Sequence, residues 1–254
     1  MPSNTSHRRF QAYNVGLAKT GTNSIATLFG RYRSAHEFMF RETVAQIASW
    51  QEGLVSQESF KAYILERDRR GFLEMDSASF NHHYLQILSS TFPEAKFIFT
   101  IRDCYSWLNS ILNMSLRYAT NIPDWMLRYS KFFIGYEIER ATVGNIPATQ
   151  QKLPEMVESL LLYWSTYNQR VLDFLPVERC LIVKTNQISD TLETIADFIG
   201  IPPESLVVSD GHMNRAPESL QWLQFLDQVW LEERSNFHCG TLMKQMFPNW
   251  SPTP

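Results

Sequence analysis

The chain has 254 residues and a formal net charge of −3, with 44% hydrophobic and 19% charged residues. This is the composition of a globular protein long enough to bury a core, and its acidic balance argues against a dedicated nucleic-acid binder. Three cysteines without a CxxC pair, no apolar leader at the N-terminus and no run of about eighteen apolar residues predict a cytoplasmic protein with no membrane partner.

Short apolar runs alternate with helical patterns in the first half of the chain. The predicted strands lie at 10–16, 34–40, 71–76 and 95–103. The predicted helices lie at 22–32, 41–51, 57–69, 82–93 and 106–119. The strand "AKFIFTIRD" is nearly continuous in apolar residues, which is typical of a strand buried on both faces.

The second half adds a fifth strand and a long helical stretch. A strand is predicted at 179–184, followed by helices at 190–200 and 217–234. Strands alternating with helices predict an α/β fold, in which a central parallel sheet of about five strands carries helices on both faces. Residues 120–175 are read as a helical insertion at one edge. Because no repeat or linker is found, residues 1–254 are predicted to form one domain.

The stretch "GLAKTGTNSIATLF", which starts at Gly16, has features of a phosphate-binding loop that opens a helix. Gly16 and Gly21 have the spacing of the triphosphatase loop G-x-x-x-x-G-K-[ST]. Thr22 and Asn23 occupy its lysine and hydroxyl positions, and Lys19 lies inside the loop instead. Backbone amides and a helix N-terminus meet there and favour an anion. Magnesium–ATP is poorly supported, because nothing matches the hydroxyl that holds Mg²⁺.

Two interpretations of the polar residues in this loop remain open. In the first, the hydroxyls of Thr20, Thr22 and Ser24 are additional hydrogen-bond donors to an anion. In the second, the stretch is an ordinary turn from strand to helix. Gly21 then supplies a positive φ, and Thr22 or Asn23 caps the helix.

A second polar pair follows the buried strand. Arg102 stands at the carboxyl end of that strand, where open α/β sheets bind ligands, and Ser110 lies eight residues later on the next helix. An arginine fork holds a phosphate with two hydrogen bonds, and a serine hydroxyl adds another. An arginine such as Arg102, taken alone, is more often a surface or an ion-paired residue. Its combination with Ser110 and the lysine-containing loop favours a phosphate site.

Together these segments resemble the signature elements of sulfotransferases that use 3′-phosphoadenosine 5′-phosphosulfate (PAPS), a family with a P-loop-like α/β fold. The stretch "RCLIVKTNQISDTLETIADFIGIP" is also similar to the last strand, helix and closing turn of that family. The resemblance therefore extends from residue 10 to about residue 203. It implies that PAPS is the donor, that 3′,5′-adenosine bisphosphate (PAP) is the product, and that no metal is required.

The resemblance assigns donor-binding residues by position. The family's loop around the 5′-phosphosulfate is matched by Lys19, Thr20, Gly21 and Thr22. Asn23 and Ser24, which follow directly, are counted with them as donor-binding candidates. The family's arginine and serine that bind the 3′-phosphate are matched by Arg102 and Ser110. The sequence departs from the family in two places. "IRDC" lacks the proline that commonly follows R-[ND] in the family, and no R-K-G-type loop occurs near the C-terminus. Asn214 and Arg215, in "HMNRAPES", are the candidates in its place.

The reaction implied by the resemblance is in-line transfer of a sulfuryl group through a loose transition state, comparable to phosphoryl transfer. Charge then builds on the oxygen that bridges the donor phosphate and the sulfur. Lys19 beside that oxygen is expected to stabilise the leaving group. The loop amides are expected to hold the 5′-phosphate.

A hydroxyl or amine acceptor also needs a base, for which several residues compete. Glu37 is the first candidate, because some sulfotransferases place a glutamate soon after the donor loop. His36 and Asp76 are its rivals, followed by His82 or His83. Since successive strand residues point to opposite faces, only one of His36 and Glu37 is expected to face the site.

The acceptor is the part that the sequence specifies least. Most aromatic residues of 105–170 are expected to pack between helices, but six lie where an acceptor lid could form. These are Trp107, Trp125, Tyr129, Phe132, Phe133 and Tyr136. We expect a small-molecule acceptor, as for a tailoring enzyme of specialised metabolism. Two other functions stay open, a nucleotide or small-molecule kinase and a non-catalytic nucleotide-binding protein, and the sequence does not indicate the oligomeric state.

Overall fold

A computed structural model describes residues 7–118, 127, 130, 132, 136, 145–207 and 221–249. Its five strands are β1 (Ala12–Asn14), β2 (Ser34–His36), β3 (Met75–Ser77), β4 (Lys96–Ile101) and β5 (Cys180–Lys184). They form one sheet in the order β2-β3-β1-β4-β5, and every neighbouring pair is parallel. The predicted α/β fold is thus confirmed. The prediction that β3 ends at residue 76 is wrong by one position, because Asp76 is its central residue.

The helices of the described residues are numbered in chain order. They are α1 (Thr22–Leu28), α2 (Phe40–Gln51), α3 (Gln57–Gly71), α4 (Leu85–Thr91), α5 (Cys104–Tyr118), α6 (Ile146–Phe174), α7 (Leu192–Ile199) and α8 (Gln228–Met246). Short 3₁₀ turns lie at Asn81–Tyr84, Val177–Arg179, Thr185–Asp190, Pro203–Ser205 and Trp222–Phe225. Within this part of the chain, no helix combines the length and apolar character needed to cross a membrane.

The last predicted helix differs most from the structure. Residues 217–234 were expected to be one helix, but α8 begins at Gln228 and continues to Met246. The carboxylate of Asp227 accepts a hydrogen bond of 2.8 Å from the Trp230 amide, which caps α8 at its start. A capping aspartate begins a helix, so the periodic apolar residues before it belong to a separate 3₁₀ turn.

The chain divides into two compact units. The first comprises Met1–Ile101 and Val171–Met213 and contains the whole sheet, and the second comprises Arg102–Arg170 and Asn214–Pro254. The prediction of one domain over residues 1–254 stays a prediction.

Helices of the first unit cover both faces of its sheet. On one face, a buried cluster joins strand residues to α1 and α7. Its strand members are Ala12, Met75, Ile98 and Val183. On the opposite face, the ring of Tyr13 lies 5.8 Å from that of Phe92 at the end of α4, and Asp76 pairs with α3. Successive strand residues thus serve two separate layers of helices.

Glu74, just before β3, ties three segments of the first unit together. Its buried carboxylate accepts hydrogen bonds from Arg9 Nε at 2.8 Å and from the Arg33 amide at 3.0 Å. Burial acts to raise the pKa of Glu74, but the hydrogen bonds from Arg9 and Arg33 outweigh it and lower the pKa to about 2. The carboxylate therefore stabilises the fold in its charged form.

We expect Glu74→Gln to remove a pH dependence of stability. A carboxyl whose pKa is depressed on folding contributes stability above its unfolded pKa and loses it as the pH falls through the folded value. Between about pH 5 and pH 2 the wild-type protein should lose on the order of 2–3 kcal/mol relative to the variant, since half-exposed Arg9 is screened by solvent. Denaturant unfolding across this range measures it. Glu66→Gln, at a surface pair with Arg69, is the control. If the wild-type protein lost as much stability relative to Glu66→Gln as relative to Glu74→Gln, the assignment to Glu74 would be contradicted.

Candidate active site

The loop between β1 and α1 is anchored to two neighbouring strands. Asn14 Oδ1, at the end of β1, accepts hydrogen bonds from the Gly16 amide at 2.9 Å and from Thr100 Oγ1 of β4 at 3.1 Å. Thr20 is fully buried, and its hydroxyl donates to the Leu17 carbonyl at 2.7 Å and lies 2.9 Å from Thr100 Oγ1. The Thr20 hydroxyl therefore shapes the loop from within.

The two glycines of the loop are each required by their surroundings. A Cβ on Gly16 would overlap both the side chain and the carbonyl oxygen of Thr100. Gly21 has a φ of 103°, and a Cβ there would lie 2.5 Å from Ile188 Cδ1. Gly21 itself is the N-cap residue of α1 and no side chain caps this helix, so the capping role considered for Thr22 or Asn23 is absent at this terminus.

The carbonyls of the loop are bound by side chains from other strands. Thr185, directly after β5, donates from Oγ1 to the Thr20 carbonyl at 2.7 Å. Ser77 of β3 donates to the Thr22 carbonyl at 2.6 Å. In a trans peptide the C=O and the following N–H point in opposite directions. Fixing these two carbonyls therefore turns the amides of the next residues, Gly21 and Asn23, away from Thr185 and Ser77.

Lys19 lies in the same loop in an uncommon backbone conformation. Its φ is 68°, in the left-handed region that non-glycine residues seldom occupy. The side chains of Lys19 and Asn23 are half-buried, whereas that of Ser24 is exposed. Residues in such conformations are concentrated at functional sites, so the backbone of Lys19 makes this loop a candidate site.

Two candidate bases meet beside this loop. His36 Nε2 lies 3.0 Å from Thr22 Oγ1 and 4.0 Å from Glu37 Oε1. Ser79 donates a hydrogen bond of 2.6 Å to the same oxygen of Glu37. Strand alternation predicts that His36 and Glu37 point to opposite faces. That prediction is wrong, because the two side chains approach each other. β2 ends at His36, and Glu37 has a φ of 54°, so its side chain turns back toward the histidine.

The other candidate bases have different surroundings. Asp76 is 4% exposed, and its carboxylate accepts hydrogen bonds from Nη1 and Nη2 of Arg67, the latter at 3.1 Å. His82 and His83 are buried in the turn before α4, with their rings 4.2 Å apart. The structure thus brings His36 and Glu37 together at the loop, and places Asp76 in an ion pair with Arg67.

Arg102 is held at the start of α5 in the second unit. Its Nε donates to Ser106 Oγ at 2.9 Å, and its carbonyl accepts from Trp164 Nε1 at 3.0 Å. Asp103 caps α5 by accepting from the Ser106 amide at 2.9 Å. Partial burial lowers the pKa of Arg102, with nearby Asp103 opposing the shift. An anion at a desolvated guanidinium recovers part of the lost hydration energy, which suits Arg102 to phosphate.

Ser110 lies on the same face of α5 as Ser106, which accepts the hydrogen bond from Arg102. Ser106 and Ser110 are four residues apart on α5, so they are neighbours on one side of the helix. Sequence reasoning missed Ser106, although the spacing Arg-x-x-x-Ser-x-x-x-Ser was readable. Asn214 and Arg215 lie outside the described residues.

The predicted acceptor lid is described in part. Trp107 is fully buried, and its ring lies nearly parallel to that of Tyr163 at 6.5 Å. Tyr136 is also buried, and the Phe132 carbonyl accepts a hydrogen bond of 3.3 Å from the Tyr163 hydroxyl. These contacts belong to helix packing in the second unit. The predicted lid residues Trp125, Tyr129 and Phe133 lie outside the described residues.

Among the described residues, no group of three or more His, Cys, Asp or Glu side chains is arranged to hold a metal ion.

A five-stranded parallel sheet with a glycine-flanked loop between β1 and α1 defines an α/β protein of the P-loop-like class. A family model described as a sulfotransferase domain matches residues 13–206, and the chain belongs to this family. A sulfotransferase crystal structure from Alicyclobacillus acidocaldarius is similar in fold, with a TM-score of 0.53, 16% identity and coverage of 94% of this chain and 96% of that one.

A second solved structure is the sulfotransferase domain from the Synechococcus PCC 7002 olefin synthase, with a TM-score of 0.44 and 13% identity. It covers 91% of this chain and 89% of that domain. No curated protein matches the sequence.

Proposed function

We propose that this sulfotransferase moves the sulfuryl group of PAPS to a hydroxyl or amine of a small-molecule acceptor, and that PAP leaves. The observation that carries the proposal is the loop after β1. Side chains of Ser77 and Thr185 fix its carbonyls, so that the amides of Gly21 and Asn23 point the other way. Lys19 in the same loop adds a cation. Amides and a cation together suit a phosphosulfate and need no metal.

In this mechanism the S–O bond to the bridging oxygen breaks as the bond from sulfur to the acceptor forms. The loop amides hold the 5′-phosphate, and Lys19 neutralises the charge that grows on the bridging oxygen. Arg102 and Ser110 bind the 3′-phosphate, the group that distinguishes this donor from simpler adenine nucleotides. The half-buried guanidinium of Arg102, already oriented through Ser106, supports this assignment.

The acceptor must lose a proton as the new bond forms, and we propose that Glu37 takes it. Ser79 orients one oxygen of this carboxylate, and His36 lies beside it. Asp76 is less suited, because both of its oxygens already accept hydrogen bonds from Arg67. His36, within 3.0 Å of Thr22, is the alternative base. A cytoplasmic location and a role in specialised metabolism remain predictions from the sequence.

Calorimetry with nucleotides tests the proposed donor. We expect PAP to bind the wild-type protein more tightly than ATP–Mg²⁺ or adenosine 5′-phosphate. Arg102→Ala should weaken PAP binding by roughly 10–100-fold, the usual loss for a charge-assisted pair of hydrogen bonds. Its effect on adenosine 5′-phosphate, which lacks the 3′-phosphate, should stay within about threefold.

Two results would contradict the donor assignment. Binding of ATP–Mg²⁺ without binding of PAP would favour a kinase. An equal loss of affinity for PAP and adenosine 5′-phosphate in Arg102→Ala would show that Arg102 does not bind the 3′-phosphate. Arg31→Ala, at an exposed residue of the first unit, is the matched control. Binding of PAP without any turnover of PAPS would favour a non-catalytic protein.

A further inference from the structure

The turn after β2 contains two non-glycine residues in the left-handed region. Glu37 has a φ of 54° and Met39 a φ of 53°, with Phe38 between them. Such conformations persist only where the surrounding structure holds them. The position of the Glu37 carboxylate depends on this turn, because its backbone no longer follows the strand.

One side chain of α3 holds the centre of this turn. The Phe38 carbonyl accepts hydrogen bonds from Arg67 Nη2 at 2.9 Å and from Arg67 Nε at 3.3 Å. Arg67 is only 3% exposed, and its guanidinium lies 5.6 Å from the ring centre of Phe38 and 5.5 Å from that of Phe80. On the other side of Glu37, its amide donates to the Ser77 carbonyl at 3.0 Å. The backbone at Glu37 is therefore fixed at both ends.

Asp76 fixes the orientation of that arginine in turn. Nη1 and Nη2 of Arg67 donate to the two carboxylate oxygens of Asp76, a fork-to-fork pair in the centre of β3. Because Nη2 is shared between Asp76 and the Phe38 carbonyl, the planar guanidinium connects strand β3 to the turn. A lysine could not make both sets of bonds.

We propose that Arg67 and Asp76 are positioning residues that hold Glu37 in place to accept the acceptor's proton. The inference rests on the proposed function, in which Glu37 is the base. A buried ion pair contributes little net stability compared with apolar residues of similar volume, so stability alone does not account for this pair. The geometry of the pair accounts for the turn, because Arg67 binds the carbonyl of Phe38, the residue between Glu37 and Met39. The pair acts through Glu37 and does not contact the reacting atoms.

The test replaces the pair as a unit, so that no charge is left buried alone. The variant Arg67→Met/Asp76→Leu is compared with Arg69→Met, an exposed arginine on the same helix. PAP affinity is measured by calorimetry, and PAP release from PAPS is measured with water as the acceptor. We expect PAP affinity to stay within about threefold of wild type, while release falls about 10²-fold, as for a misplaced catalytic group. Arg69→Met should change neither quantity.

The decisive measurement repeats the double substitution together with Glu37→Gln. If the pair acts through Glu37, its effect on release should shrink to within about threefold once the carboxylate is absent. An undiminished fall in that background would overturn the proposal, and so would an unchanged rate in the double variant. If the double variant does not fold, Arg67→Lys takes its place, because it keeps the ion pair but not the hydrogen bonds to the Phe38 carbonyl. This variant should lower release about tenfold. Absence of PAP binding by the wild-type protein would instead refute the proposed function.

Discussion

Lys19→Met is expected to lower the rate of PAP release from PAPS about 10²–10³-fold, the usual effect of removing one group that stabilises developing charge. Methionine keeps much of the length of the side chain but carries no charge. The charge on the bridging oxygen is small in bound PAPS and large in the transition state. The loss should therefore appear in the rate of a single turnover at saturating PAPS, while affinity for PAP falls by less than about tenfold.

The matched control for this prediction is Lys61→Met. Lys61 is an exposed lysine on α3, so its replacement changes the net charge equally without touching the loop. Release by Lys61→Met should equal that of the wild-type protein. If Lys19→Met lost PAP affinity and turnover rate in equal proportion, Lys19 would be a binding group and not a stabiliser of the leaving oxygen.

Much of the sheet could be predicted because its signals are local. Four of the six residues of β4 are apolar, and its observed bounds, Lys96–Ile101, lie within the predicted 95–103. Helix α3 was predicted to within two residues, and Ser56 caps its start by accepting from the Ser59 amide at 3.1 Å. Boundaries were less predictable, since β1 and β2 each pair over only three residues of longer apolar runs.

The donor residues could be proposed from sequence for a similar reason. Lys19 and Gly21 lie within one loop, and Arg102 directly follows a strand that was easily recognised. The groups that hold this loop could not be found in that way. Thr100 and Thr185 approach it only because parallel strands meet at one edge of the sheet, and no local pattern marks either threonine.

The surroundings of Asp76 depend on a tertiary contact that the sequence carries only weakly. The sequence offers Asp76 as a base because the predicted third strand ends on this acidic residue. Its partner, Arg67, lies in "ERDRRG", where it looks like one more surface charge. The spacing Phe60, Ile64, Arg67 does continue the buried face of α3, and all three side chains are buried. A charged residue on an apolar face was therefore the available signal for a buried partner.

The choice between Glu37 and His36 leads to the second large expected effect. Glu37→Gln should lower the rate of sulfuryl transfer about 10²–10⁴-fold at saturating PAPS, the usual contribution of a positioned base. Glutamine has nearly the same shape, and its amide oxygen can still accept the hydrogen bond from Ser79, so PAP affinity should not change. Glu42→Gln, at a half-exposed residue of α2, is the matched control. His36→Gln should lower the rate less than Glu37→Gln does.

Variation of the acceptor makes this test of the base sharper. A more acidic hydroxyl gives up its proton more readily and needs less help from a base. Across a series of phenols of increasing acidity, the ratio of wild-type to Glu37→Gln rates should therefore fall steadily. A ratio that stays constant across the series would mean that Glu37 binds or orients the acceptor without taking its proton. A falling ratio for His36→Gln with a constant one for Glu37→Gln would move the role of base to His36, where Thr22 links it to the donor loop.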